Sequence, residues 1–295
     1  MVNSNKGWNI SANIVMVLLS FLALAPFVLL IIASLTDEDV AMTFGYSYFP
    51  QKWSISAYQY IANQAARLGR AYMMTIIVTA VGTSVGVMIT ALLGYMLSNK
   101  DLPGRGFLNL FVVFTMLFNG GLVPTYIMYV KTFAIKNTIF GLIVPNLLCS
   151  AFLVMLVRNY FENSIPRDLF EAARIDGASE FQTFFRVALP LSTPILATIG
   201  LMMGLAYWND WQNGLYYLSD QSANLKTIQN ILNDINTNIA YLASNSSASG
   251  VNVASLPTQT ARMAIAVVGI LPILVIYPFF QKYFAKGITM GAVKG

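Results

Sequence analysis

Six stretches of this chain are apolar over the length that crosses a bilayer, and that pattern limits the fold more than any other feature. A helical span needs about 20 mostly apolar residues; such runs occupy 14–35, 72–97, 107–130, 138–161, 192–215 and 262–281. The expected fold class is an all-α membrane protein with six transmembrane helices. Composition agrees, because apolar residues make up 57% and charged residues only 10% of the 295. A soluble domain carries about 25% charged residues. A soluble enzyme and a disordered protein are both excluded.

The first run is read as a retained helix, although Ala23-Leu24-Ala25 resembles a cleavage site. Its apolar stretch is too long for a signal peptide, its n-region holds only Lys6, and Pro26 would follow the cut. Six spans put both termini on one side of the membrane. If that side is cytoplasmic, the inner segments hold ten Lys/Arg and the outer ones seven, a modest positive-inside bias. The net charge of +5 is scattered, so it reflects topology and predicts no nucleic-acid partner. There is no histidine. His-based catalysis and the usual zinc sites therefore drop out, no metal site is expected, and the lone Cys149 reads as a packing residue.

Helix breakers interrupt several spans: Asn119-Gly120-Gly121 with Pro124 in the third, Pro145 in the fourth, Pro272 and Pro278 in the last. Kinks free backbone groups that neighbouring helices or water must satisfy, so these spans are expected to pack around a cavity, or to be kinked with no transport role. Outer loop 216–261 carries Leu225, Ile228, Leu232, Ile235, Ile239 and Leu242 at helical spacing, followed by a flexible Ser/Asn/Gly-rich stretch from Ser244 to Ser255. That amphipathic helix either caps the bundle or meets an external partner.

Loop 162–191 lies on the predicted inner face. Ser164 is placed as an N-cap with Pro166 in the first turn, and Gly177 as a left-handed stop. Ser179 and Gln182 then fit a capping box for a second short helix running to Pro190. Ala172 and Ala173 leave a shallow surface flanked by Glu171 and Asp176. The element reads as a docking knob.

Glu171-Ala172-Ala173, Gly177, Val187, Leu189 and Pro190 resemble the "EAA" loop of binding-protein-dependent ABC importer permeases. Six of seven consensus letters agree, with Val187 in place of the commoner Ile. Asp176, Ala178 and Pro194 match the carbohydrate-type members. Phe118-Asn119-Gly120-Gly121-Leu122-Val123-Pro124-Thr125-Tyr126 is similar to the third-span signature of the lipoprotein-dependent oligosaccharide (LplC/YtcP-like) branch. The ending Gly291-Ala292-Val293-Lys294-Gly295 is similar to the MalG-like tail.

The resemblance implies a type I ABC importer permease (MetI-like) fold in a bacterial plasma membrane, multi-pass, with both termini cytoplasmic. Residues 1–71 would form an N-terminal span and outer loop, and 72–295 the permease core. The implied partners are a second related permease, two cytoplasmic ATPase subunits, an extracellular solute-binding lipoprotein, an oligosaccharide substrate and membrane lipid. The implied ATPase-coupling residues are Glu171, Ala172, Ala173, Asp176, Gly177, Ala178, Leu189 and Pro190, with Gly291, Lys294 and Gly295 reaching between the ATPase subunits. Loop 216–261 would enter the binding protein.

No G-x-x-x-x-G-K-[ST] occurs, so no P-loop cradles nucleotide here. The chain is expected to be no enzyme and to hold no cofactor, with ATP-Mg on the partner ATPase. The alternative is an ion-coupled secondary transporter of a polar solute, which would want several buried ionisable groups and an inverted repeat. Candidates for the substrate path are Trp208, Asn209, Asp210 and Trp211 near the outer end of span five, with Asn119, Tyr126 and Asn146. Trp rings and amides suit sugar stacking and hydroxyl bonding, but the run also fits an aromatic belt or gate. Gly82-Thr83-Ser84-Val85-Gly86 matches a nucleophile pattern, yet sits within a span; Gly82 and Gly86 read as helix-packing positions.

Overall fold

The computed structural model describes residues 6–237 and 258–292, and every regular element among them is helical apart from an isolated Thr36–Trp53 bridge. Ile239, Leu242 and the Ser244–Ser255 stretch lie outside the described residues.

All six apolar stretches are built on helix, but not all as single rods. Helices α1 (Lys6–Ser34), α4 (Ala65–Ser98) and α15 (Thr258–Ala292) are continuous. At 1.5 Å per residue the 34 residues of α4 reach about 51 Å, well past a hydrocarbon core of about 30 Å. Helix α15 runs through Pro272 and Pro278 without interruption.

The third, fourth and fifth stretches depart from the single spans expected. In the third, α5 (Arg105–Leu117) and the segment beginning with α6 (Leu122–Ile127) meet at 113°. The Asn119 side chain accepts from the Gly121 N–H at 2.8 Å, closing an Asx turn, and Gly121 takes φ +84°. The fourth stretch holds only α7 (Phe140–Ile143) before a break at Pro145-Asn146, then α8 (Ala151–Ser164). Pro145 cannot donate, and Asn146 sits at φ +61°. In the fifth, α12 (Thr193–Asn209) meets the preceding helical segment at 81°. Two described helices are long and apolar enough to cross a bilayer unaided, and up to four when each bent pair counts as one span.

The described residues fall into two compact units. One gathers those of Met1–Leu68 and Ile231–Pro272. It contains α1, α2 (Glu38–Phe44) and α3 (Ser56–Asn63). The apolar window of α1 buries nothing in the chain, as befits a helix facing lipid or another subunit. After α1, Lys52 pairs with Asp37 at 2.8 Å. The Glu38 carboxylate accepts from the N–H groups of Gln259 and Thr260 at 2.7 and 2.9 Å and from the Thr260 hydroxyl at 2.6 Å. A side chain 221 positions earlier thus satisfies donors that the start of α15 leaves open.

The second unit gathers Gly69–Asn230 and the described part of Ile273–Gly295. Its core joins α4, α8 and α12 through Ala91, Val157, Phe161, Ile199 and Met203, with Phe184 from the segment between α8 and α12. Gly82 and Gly86 act as expected: a Cβ on Gly82 would strike the Tyr207 ring, and one on Gly86 would lie 2.9 Å from the Leu148 carbonyl. Cys149 corrects its expectation, since it is exposed, in the stretch between α7 and α8.

The amphipathic helix of loop 216–261 begins at 228 and is described to 237 as α14. Leu225 belongs instead to a 3-10 turn, Asp220–Leu225. Thr227 and Asn230 bond reciprocally at that start, with Thr227 N–H and hydroxyl donating to the Asn230 side chain at 3.1 and 2.9 Å. That local cap holds the helix start beyond Leu225.

Candidate functional site

The loop between α8 and α12 folds as two short helices, α9 (Asp168–Ile175) and α10 (Glu180–Thr183). The first begins later than expected. Ser164 closes α8, and Ile165 is buried and extended at φ −105°, ψ 122°. A residue preceding proline is pushed out of the helical region, so Pro166 separates the helices and Arg167 takes the N-cap position.

The end of α9 follows the expected chemistry. Gly177 has φ +80°, its N–H donates to Arg174 O at 3.0 Å, and the Ala178 N–H donates to Ala173 O at 2.9 Å. This is a Schellman stop. Ser179 then accepts from the Gln182 N–H at 3.3 Å while Gln182 accepts from the Ser179 N–H at 2.9 Å, completing the capping box. The second helix does not stop at Pro190: a π turn, Phe184–Ala188, leads into α11 (Leu189–Leu191), which ends at buried Ser192. A π turn widens the helix where the Pro190 ring would meet the Arg186 carbonyl.

The two-helix element has distinct inner and outer faces. Glu171, Ala172, Asp176, Gly177 and Pro190 are exposed, while Ala173, Ala178 and Leu189 are half-buried. Three large apolar side chains share this open region: Ile175 is 86% exposed, Phe181 71% and Leu169 42%. On the inner side Phe170 packs against the core. Arg174 pairs with Glu180 at 3.0 Å across the turn.

Beneath it lies a charge cluster. Glu162 binds Arg105 at 3.0 Å and Arg158 at 3.1 Å, and the Arg105 Nε donates to Leu97 O at 2.9 Å. The ends of α4, α5 and α8 are thereby tied together. Burial resists ionisation of Glu162, but the Arg105 hydrogen bond and the charges of Arg158, Arg105 and Lys100 outweigh it and lower its pKa.

The substrate-path candidates do not converge on one place. Trp208 is 6% exposed and lines a largely apolar cavity of about 300 Å³ with Thr79, Thr83, Ser84, Gly200 and Gly204. None of the other six lines that cavity. Asn209 is exposed and donates to Leu205 O at 2.9 Å. Asp210 is half-buried, and its carboxylate accepts from the N–H groups of Gln212 and Asn213 at 3.2 and 3.4 Å, ahead of α13 (Gln212–Tyr217). Trp211 is 39% exposed. Tyr126 stacks on Tyr217 with ring centroids 5.8 Å apart, and Asn119 and Asn146 are exposed at their turns.

Sequence reasoning missed Asn213 and the role of Tyr207. Tyr207 donates to Ile143 O at 2.8 Å, and the Asn213 amide donates to Leu142 O at 3.4 Å and Pro145 O at 3.0 Å. These carbonyls are the groups freed by the break in the fourth stretch, so α12 and α13 satisfy them as the physics of a kinked span requires. A buried amide within an apolar run was the available signal. At the carboxyl end, Gly291 lies in the last turn of α15; Lys294 and Gly295 fall outside the described residues.

Comparison with known proteins covers nearly the whole chain. Residues 86–290 match the model for the binding-protein-dependent transport system inner membrane component. The polygalacturonan/rhamnogalacturonan transport system permease protein YtcP of Bacillus subtilis is 35% identical over 280 residues, covering 95% of this chain and 96% of that one. Protein LplC of the same organism is 35% identical, covering 93% and 90%. Among solved structures, a bacterial ABC transporter involved in import of the acidic polysaccharide alginate aligns with TM-score 0.75 and 28% identity, over 96% of this chain and 99% of that one. A kinked helical core with an exposed two-helix loop, matched over this length, makes the chain a member of the binding-protein-dependent transport system inner membrane components.

Proposed function

We propose that this plasma-membrane protein is one permease subunit of an ATP-driven importer for an oligosaccharide or glycan. It works with a second related permease, two cytoplasmic ATPase subunits and an extracellular solute-binding lipoprotein. The ATPase pair binds ATP-Mg and closes, α9 is displaced, and the helices it rests on change the side to which the path opens. Both termini are then cytoplasmic, with Gly291, Lys294 and Gly295 reaching toward the ATPase subunits.

The single observation that carries this reading is the outer face of the two-helix element. Glu171, Ala172 and Asp176 stand open beside Ile175 and Phe181, two large apolar side chains with nothing over them. Burying each against a partner is worth about 1.5–3 kcal/mol, which suits a protein cleft better than water. The sugar class is supported by the relatives, and Trp208 in its cavity is the side chain best placed to meet a sugar face. With family membership established, the ion-coupled carrier is left without a supporting feature.

The test is purification through an affinity tag on this chain from its own membranes. A second permease and an ATPase subunit are expected to co-elute, and Glu171→Lys is expected to lose the ATPase while keeping the permease. Solute uptake by the purified polypeptide alone, driven by a proton or sodium gradient, would overturn the proposal.

A further inference from the structure

Four structural elements meet around one side chain that no motif marks. Tyr95, near the end of α4, has Phe161 of α8 at 5.7 Å between ring centroids, Phe170 of α9 at 5.8 Å and Phe184 of the following π turn at 5.4 Å. The interplanar angles are 75°, 68° and 54°, so Phe161 and Phe170 meet Tyr95 edge to face and Phe184 lies tilted against it. The Tyr95 hydroxyl donates to Glu180 at 3.1 Å, the same carboxylate that pairs with Arg174 of α9. Within α9, Phe170 is the residue that packs on the core.

We infer that Tyr95 is the positioning residue that passes displacement of the two-helix element into α4. Packed interiors compress little, so α9 cannot shift inward or sideways without either carrying Tyr95 along or breaking these contacts. Tyr95 shares α4 with Thr79 and Thr83, which line the Trp208 cavity. Sixteen residues of helix, about 24 Å, join the two places through one unbroken hydrogen-bonded rod. The two-helix element thus acts on the cavity through Tyr95, without touching it.

This rests on the ATP-driven reading, and the experiment separates the two. The co-purified complex is reconstituted in proteoliposomes, and transport per ATP hydrolysed is measured with ATPase retention. Tyr95→Leu removes the interlocking ring; it is expected to retain the ATPase subunit and basal hydrolysis while transport per ATP falls about tenfold. Tyr95→Phe keeps the ring and loses only the Glu180 contact; a fall of about threefold at full retention is expected. Normal transport per ATP in Tyr95→Leu overturns the inference. If Tyr95→Leu fails to assemble, Tyr95→Phe decides alone: an unchanged ratio means Tyr95 merely packs, and a lowered one upholds the positioning role. A wild-type complex lacking any ATPase would instead count against the functional reading itself.

Discussion

Substitution at Gly177 tests the two-helix element most cleanly, because the site is sterically empty. A Cβ built there meets nothing within 4 Å, so the entire penalty lies in the backbone. At φ +80° an ordinary L-residue is strained by about 1–2 kcal/mol, and asparagine by less. Proline is a different case: its ring holds φ near −65°, and it removes the N–H that donates to Arg174 O at 3.0 Å, about 1 kcal/mol more. Because 1.4 kcal/mol is a factor of ten, Gly177→Ala should lower the equilibrium constant for forming the docking-competent turn by about tenfold. Gly177→Pro should abolish that turn. ATPase retention and ATP-driven uptake should fall in the order Gly, Asn, Ala, Pro, while membrane insertion and yield stay constant. A Gly177→Pro complex that retains its ATPase and transports normally refutes the argument that this turn sets the docking geometry.

Three further outcomes are expected. The Asp210 carboxylate already accepts from two N–H groups ahead of α13; Asp210→Asn should therefore transport nearly as wild type, whereas Asp210→Ala should lower the unfolding midpoint in detergent by the equivalent of about 1 kcal/mol. A large uptake defect in a well-folded Asp210→Asn protein would put that charge on the path instead. Glu38→Ala strips three hydrogen bonds from the start of α15 and should cost about 2 kcal/mol, with Glu38→Gln losing less; equal melting of all three proteins refutes the cap. Glu162 has its pKa lowered, so its contribution is present above the unfolded carboxyl value and is lost as pH falls through the depressed folded value. Thermal stability followed from neutral to acid pH should drop less steeply in Glu162→Gln, and identical profiles would remove Glu162 from the account.

The sequence made the class of fold and the two-helix loop legible for a definite reason: both are written in local chemistry. Twenty-residue apolar runs, Gly177 and the Ser179/Gln182 pair each determine structure within a few positions of themselves. The kink signals at Asn119 and Pro145 were legible too, but their consequence was larger than a bend, because an Asx turn and a left-handed Asn146 each end a helix outright. Ser164 misled because the restriction that Pro166 imposes on Ile165 outweighs a good capping side chain. Tyr95, Asn213 and Glu38 were opaque for the opposite reason. Their partners lie 85, 68 and 221 positions away, and no spacing rule reaches that far.

The repaired break in the fourth stretch has a mechanical consequence. With the carbonyls of Leu142, Ile143 and Pro145 held by Tyr207 of α12 and Asn213 of α13, sliding α7 past these two helices would break the hydrogen bonds of three acceptors. These helices must therefore travel as one stiff plate. Any hinge in this protein belongs at joints whose own backbone is already satisfied, such as the self-closed turn at Asn119 or the bend at Ser192.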